Sequence, residues 1–231
     1  MFFPIIQFSI TPLLHLLNTA MPNPQQKDIV LPQAANPAVR ILPFCRPETI
    51  RDYAFDRQFG THAQYRSIYT KRETLETNAR QEGVNVTLAV ADRSIVGFGV
   101  LSHPEPEDRW IELGKGAMME VKVIEVARTW RSSGIAHAIL QSLLSQPDIE
   151  TKIVYMVGYS WTWDLDGTHK TAQAYRNMMI HLFEPFGFQE LQTNEPNICL
   201  KPENLFMARI GKAVSEDIRT RFKWLRFGVS M

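Results

Sequence analysis

From Val121 to Leu144 the chain reads V-K-V-I-E-V-A-R-T-W-R-S-S-G-I-A-H-A-I-L-Q-S-L-L, an order that few folds accommodate. The β-branched run Val121 to Val126 predicts a strand. A short basic and hydroxylated turn follows, and helical periodicity begins at Gly134. Ile135, Ala138, Ile139 and Leu143, flanked by Leu140 and Leu144, form an apolar stripe, while Gln141 and Ser142 look outward. The segment is therefore predicted as strand, turn and helix, with one glycine at the helix entrance.

The first N–H groups of a helix have no intrahelical acceptor, so such a turn holds an anion readily. Gly134 removes a Cβ from the approach, Ala136 keeps the first turn narrow, and Arg131 adds positive charge beside it. These features predict a pyrophosphate cradle. Plain α/β architecture with no ligand reads the same way at this level. G-x-x-x-x-G-K-S/T is absent, and R-S-S-G-I-A replaces G-x-G-x-x-G, which excludes the usual triphosphate loop and the dinucleotide fingerprint.

A chain of 231 residues suits one good-sized domain. A net charge of +1 argues against a broad nucleic-acid surface. Cys45 and Cys199 have neither disulfide-framework nor metal-ligand spacing, and read as reduced thiols of a cytosolic protein. No His/Cys/Asp set has metal spacing, so no metal is expected. Met1 to Ala20 is apolar without Lys or Arg, and lacks the basic start and cleavage site of a secretory signal. Pro4, Pro12 and His15 make it a poor membrane span. The expectation is an extension over 1–37, with Met21 as a second candidate start before a Pro- and Gln-rich linker.

The folded domain is expected over 38–231. Val39 to Leu42 is a first strand, Glu48 to Phe59 a helix entered by Pro47, and Ala63 to Gln81 a polar helix. Val84 to Val90 and Ser94 to Leu101 form a hairpin across Asp92-Arg93. After the central strand and helix come a strand from Lys152 to Gly158 and a helix from Thr168 to Phe183. Strands over Phe188 to Thr193 and Leu205 to Ile210 follow, then a last helix capped by Ser215. That helix carries a basic amphipathic stripe, Ile218, Phe222 and Leu225 beside Arg219, Arg221, Lys223 and Arg226. It either packs on the domain or meets an acidic partner surface; membrane contact is the weaker reading.

Arg131-x-x-Gly134-x-Ala136 after an aliphatic strand resembles the acyl-CoA-binding segment of GNAT-fold N-acetyltransferases, usually Gln/Arg-x-x-Gly-x-Gly/Ala. Many members have glycine directly after the arginine, where this chain has Ser132. The element order β-α-α-β-β-β-α-β-α-β-β is also that of the GNAT fold, a mixed and largely antiparallel sheet flanked by helices. Six further pieces resemble the acetoin-utilisation acetyltransferases of AcuA type. They are P-E-D-R-W from Pro106, I-E-V-A from Ile124, W-T-W-D from Trp161, A-Y-R from Ala174, N-E-P from Asn194 and M-A-R-I-G-K-A-V-S from Met207. That resemblance implies a bacterial protein-lysine acetyltransferase, using acetyl-CoA to modify and inactivate AMP-forming acetyl-CoA synthetase. A small-amine acetyltransferase and a non-catalytic acyl-CoA sensor are the alternatives.

The resemblance also implies site residues. Ser132, Ser133, Gly134, Ile135 and Ala136, with Arg131, would hold the diphosphate, and the Val126 N–H would meet the thioester oxygen. Glu120, six residues before Val126, stands where many members carry a general base. Regular alternation would put Glu120, Lys122, Ile124 and Val126 on one face, with Glu125 pointing the other way as the reserve base. Phe183 stands where members carry an acid tyrosine before Gly187-Phe188; Tyr159 and Tyr175 are possible substitutes, and water is another. Trp161, Trp163 and Asp164 are expected either to form an acceptor-lysine slot or to pack as a loop. His137 and His169 are expected to be bystanders.

Overall fold

The computed structural model describes residues 29–31, 38–61 and 70–230. The expectations for Met1 to Ala20 and for the Met21 start lie outside the described residues.

The elements run β1 (Ile29–Leu31), β2 (Val39–Leu42), α1 (Pro47–Arg51), β3 (Ala54–Phe55), α2 (Gln58–Thr61), α3 (Arg72–Ala79), β4 (Asn85–Ala91) and β5 (Ser94–Ser102). They continue with β6 (Met118–Val126), α4 (Ile135–Leu143), β7 (Ile153–Gly158), α5 (Leu165–Thr168), α6 (Ala172–Phe183), β8 (Gln189–Glu190), α7 (Pro196–Cys199), β9 (Leu205–Ile210) and α8 (Glu216–Leu225). Among the described residues the sheet order is β1-β2-β4-β5-β6-β7-β9-β8, with β3 alongside β5. The β6–β7 and β3–β5 pairs are parallel and the others antiparallel. This mixed, largely antiparallel sheet with helices against it is the architecture that the resemblance implies.

Several elements differ from expectation. Of the helix expected over Ala63 to Gln81, the structure describes Arg72–Ala79, positions 62–69 lying outside the described residues, and the helix expected from Thr168 begins at Ala172. Ile29–Leu31, expected within the extension, pairs antiparallel with β2 and adds an edge strand. The helix expected over Glu48 to Phe59 is two short helices separated by β3, whose amides turn to the sheet: Ala54 N–H donates to Arg93 O at 3.0 Å and Asp56 N–H to Ile95 O at 3.0 Å. The strand expected over Phe188 to Thr193 is two residues long. By contrast β9 keeps its expected limits, and Ser215 Oγ accepts the Ile218 N–H at the start of α8. Phe222 and Leu225 of α8 are buried with Trp110 and Tyr155, so that apolar stripe packs on the domain.

The central helix α4 lies across β5 because two glycines leave it room. A Cβ on Gly99 would stand 2.5 Å from Ile139 Cγ2, and one on Gly97 3.2 Å from Ile135 Cγ2. Ile135, Ile139 and Leu143 then bury against Val96, Leu101, Val121 and Val126. Seated so deeply, the helix brings its N-terminus level with the end of β6.

Candidate active site

β6 carries a bulge that decides which side chains meet. Val123 pairs with Val100 and Val121 with Leu101, so Lys122 has no register partner on β5. The extra residue reverses the alternation. Met119, Val121, Ile124 and Val126 face α4, whereas Val123 packs on the opposite side with Phe98 and Val100. Glu120 also points to that opposite side, reaching the hydroxyl of Tyr155, whose ring lies with Trp110 and Phe206. The expectation that Glu120 shares a face with Val126 is therefore corrected: Glu120 shares its face with Glu125.

The same bulge opens the sheet. β6 pairs with β7 only at Met118–Ile153, Met119–Val154 and Glu120–Tyr155. Beyond Tyr155, Met156 to Gly158 pair with β9, and Val123 to Val126 pair with β5. The two central strands thus part, with Glu120 at the apex. The Ala127 N–H donates to Val96 O at 2.9 Å, on the β5 side. By strand alternation the polar groups of Val126 and Ile124 point the other way, into the parting. Arg131 agrees with this, since its Nε donates to Val126 O at 3.2 Å. The sequence reading named Val126 but missed Ile124.

The turn between β6 and α4 is strained and braced. Ser132 has φ 60 and Gly134 φ 81. Left-handed geometry costs a non-glycine residue about 1 kcal/mol, which explains why glycine suits the position after the arginine. Ser133 Oγ closes the turn by donating to Trp130 O at 2.5 Å. Thr129 exchanges hydrogen bonds with the amide of Gln58, at 3.1 and 2.6 Å. A Cβ on Gly134 would meet nothing within 4 Å, so the turn opens onto clear space. The first-turn amides of Ile135 and Ala136 lie beside that space with the positive end of a nine-residue helix. This geometry fits a diphosphate.

Arg131 is placed differently from expectation. Its guanidinium NH1 lies 2.8 Å from Asp164 Oδ2, so it locks the turn rather than extending to an anion. Arg128 grips the same carboxylate bidentately at 2.9 and 2.6 Å, and Gly167 N–H donates to it at 3.0 Å. Asp164 is 4% exposed. Its burial pushes the carboxyl up, but the hydrogen bonds from Arg128 and Gly167 and the charge of Arg131 hold it below the ordinary range. Asp164 is therefore not presented to an incoming ammonium; it binds the cradle turn to the loop after β7. Trp163 is likewise buried, stacked on Tyr175 at 5.0 Å, and contributes no wall of an open slot. Trp161 alone of the three is open, 56% exposed and stacked on Tyr159 at 4.6 Å.

On the Glu120 side lies a cleft of about 380 Å³. Glu107, Asp108, Glu120 and Glu195 give it acidic walls, and Trp110, Tyr155 and Tyr159 aromatic ones. Glu120 Oε2 accepts from Tyr155 OH at 3.2 Å and lies 3.1 Å from Lys122 Nζ. Burial raises the Glu120 carboxyl above the ordinary range, against the opposing charge of Lys122. Burial likewise pushes Glu125 up to about 7, with Arg131 opposing. Phe183 is buried edge-on to Phe188 at 5.0 Å and offers no proton. Tyr175, from the same helix, is pushed up to about 12 by burial and by the neighbouring Glu125. His137 packs its ring on Phe186 at 4.7 Å.

No family model matches the chain. It is 32% identical over 181 residues to the acetoin utilization protein AcuA of Bacillus licheniformis, covering 78% of this chain and 85% of the relative. The AcuA protein of Bacillus subtilis matches with the same identity and coverage. The crystal structure of an acetoin utilization protein from Exiguobacterium sibiricum superposes with a TM-score of 0.79. It is 27% identical and spans 88% of this chain and 94% of that one. Among the described residues no helix is long and apolar enough to cross a membrane. With 32% identity over the aligned 78% of its length, the chain belongs to the AcuA family of acetoin utilization proteins.

Proposed function

We propose that the protein transfers the acetyl group of acetyl-CoA directly to a lysine of a metabolic enzyme, AMP-forming acetyl-CoA synthetase, and so inactivates it. One observation carries the proposal: β6 and β7 part beside an open helix-entrance turn, and a buried carboxylate sits at the apex. Membership of the AcuA family of acetoin utilization proteins supports the link to acetoin metabolism.

In this reading Ser132 to Ala136 hold the diphosphate with main-chain amides, and Arg131 keeps their turn in shape. The parting admits the pantetheine arm between β6 and β7. The Val126 N–H, directed into it, steadies the thioester oxygen as charge develops there, a contribution on the order of 3 kcal/mol. Glu120 takes the proton of the acceptor ammonium, and the acidic aromatic cleft draws that ammonium in. The freed amine adds to the thioester carbonyl, and as the tetrahedral adduct collapses the C–S bond breaks. The proton that the nitrogen gives up passes through water to the departing thiolate, a step that a thiol with a pKa of about 8.5 makes easy.

The test uses the full chain, acetyl-CoA and a matching acetyl-CoA synthetase, followed by peptide mass mapping. The expected result is acetylation of a synthetase lysine with matching loss of synthetase activity. Acetylation confined to free amines, or acetyl-CoA binding without transfer, contradicts the proposal.

A further inference from the structure

The bulge in β6 makes Lys122 the extra residue of that strand and turns its side chain toward the cleft side. The side chain is 8% exposed, and its ammonium bridges two carboxylates, 2.5 Å from Glu105 Oε1 and 3.1 Å from Glu120 Oε2. Glu105 is stitched in turn to Asp108: its N–H donates to Asp108 Oδ2 at 2.9 Å, and the Asp108 N–H returns to Glu105 O at 2.9 Å. The ammonium therefore joins the apex of the parted strands to the loop that carries Asp108 and Trp110 into the cleft. Arg109, which also lines the cleft, bonds Asn194 Oδ1 at 2.5 Å and Glu195 Oε2 at 3.4 Å, at the far wall.

We propose that Lys122 is a positioning residue for amine deprotonation: it aims the Glu120 carboxylate into the cleft and fastens the Glu105–Asp108 loop around it. This inference rests on the reading of Glu120 as the base. The groups facing Glu120 are Tyr155 from β7, Lys122 from β6 itself and Asp108 from the loop, with Glu105 held on Lys122. Glu107, Arg109, Tyr159 and Glu195 surround the same cleft. Burial favours the neutral carboxyl and Lys122 favours the charged one. Removing the ammonium therefore leaves Glu120 protonated to higher pH.

The experiment compares wild type, Lys122→Met and Lys122→Arg as full-length proteins. Carboxyl ¹³C resonances are titrated, with Glu120 assigned by its disappearance in Glu120→Gln. The Glu120 midpoint is expected to rise by about one pH unit or more in Lys122→Met and to return close to wild type in Lys122→Arg. The acid limb of the kcat profile should move with it to higher pH by the same amount, lowering kcat about tenfold on that limb while the acetyl-CoA KM stays unchanged. Superimposable carboxyl titrations in wild type and Lys122→Met overturn the proposal, whatever the activity. A clear carboxyl shift in Lys122→Met, alongside a wild type that transfers no acetyl group, sinks the transfer reading, and with it the catalytic meaning of the pair.

Discussion

Glu120→Gln should lower kcat at neutral pH by about a hundredfold or more, with acetyl-CoA affinity left near that of wild type. Glutamine keeps the shape and accepts the Tyr155 hydrogen bond, but it cannot take a proton from an ammonium. A positioned base contributes about 10²- to 10⁴-fold, so the loss falls on the chemical step. Because burial raises the Glu120 carboxyl, wild-type kcat should also fall on acidification above the ordinary carboxylate range. That limb should be absent from the residual activity of the variant. Steady-state kinetics across pH, with calorimetry for acetyl-CoA, checks both parts. Unchanged turnover would remove Glu120 and point to Glu125, the other raised carboxylate on the same face of β6.

Asp164→Asn should act on acetyl-CoA binding and on stability, not on the acceptor. The substitution leaves Arg128 and Arg131, whose guanidinium groups converge on one carboxylate, without its charge. Breaking one partner of a buried charge cluster costs about 3–5 kcal/mol. Arg131 would then lose its hold between Val126 O and the loop after β7, and the cradle turn would loosen. Acetyl-CoA affinity should fall at least tenfold, about 1.4 kcal/mol, with the acceptor KM little changed. The pH signature has a definite sign. The Asp164 carboxyl is held low in the fold, so its stabilisation is present above the ordinary carboxylate pKa and lost as pH falls through the lower folded value. Denaturant unfolding at neutral and acid pH should show that dependence in wild type and less of it in the variant. A selective rise in acceptor KM would instead return Asp164 to a docking role.

How much of this could be read beforehand depended on how local each signal was. The glycine-entered helix, the Asp92-Arg93 hairpin and the Ser215 cap are written in adjacent residues, and each has its counterpart in the fold. The bulge at Lys122 depends on how β6 registers against β5, which no run of β-branched residues encodes. That single unread residue moved Glu120 to the other face. Asp164 and Trp163 stood in a loop that read equally well as an acceptor slot or as packing, and the structure packs it. Their partners, Arg128 and Tyr175, are brought up by tertiary packing from other elements. The acidic cleft was missed for the same reason: Asp108, Glu120, Tyr159 and Glu195 come from separate segments and carry no shared motif. Ser132, read as a departure from the resembled pattern, proved informative, because its φ of 60 puts that position in the left-handed region that favours glycine.

The proposed grip of main-chain amides at the entrance of α4 on the diphosphate of coenzyme A can be measured by titration calorimetry with acetyl-CoA. Wild type should bind the thioester, and Gly134→Asp, which sets a carboxylate over the open turn and strains a φ of 81, should lose that binding by a hundredfold or more, about 2.7 kcal/mol. No heat of binding in wild type, or equal affinity in the two proteins, would mean that this turn does not hold the diphosphate.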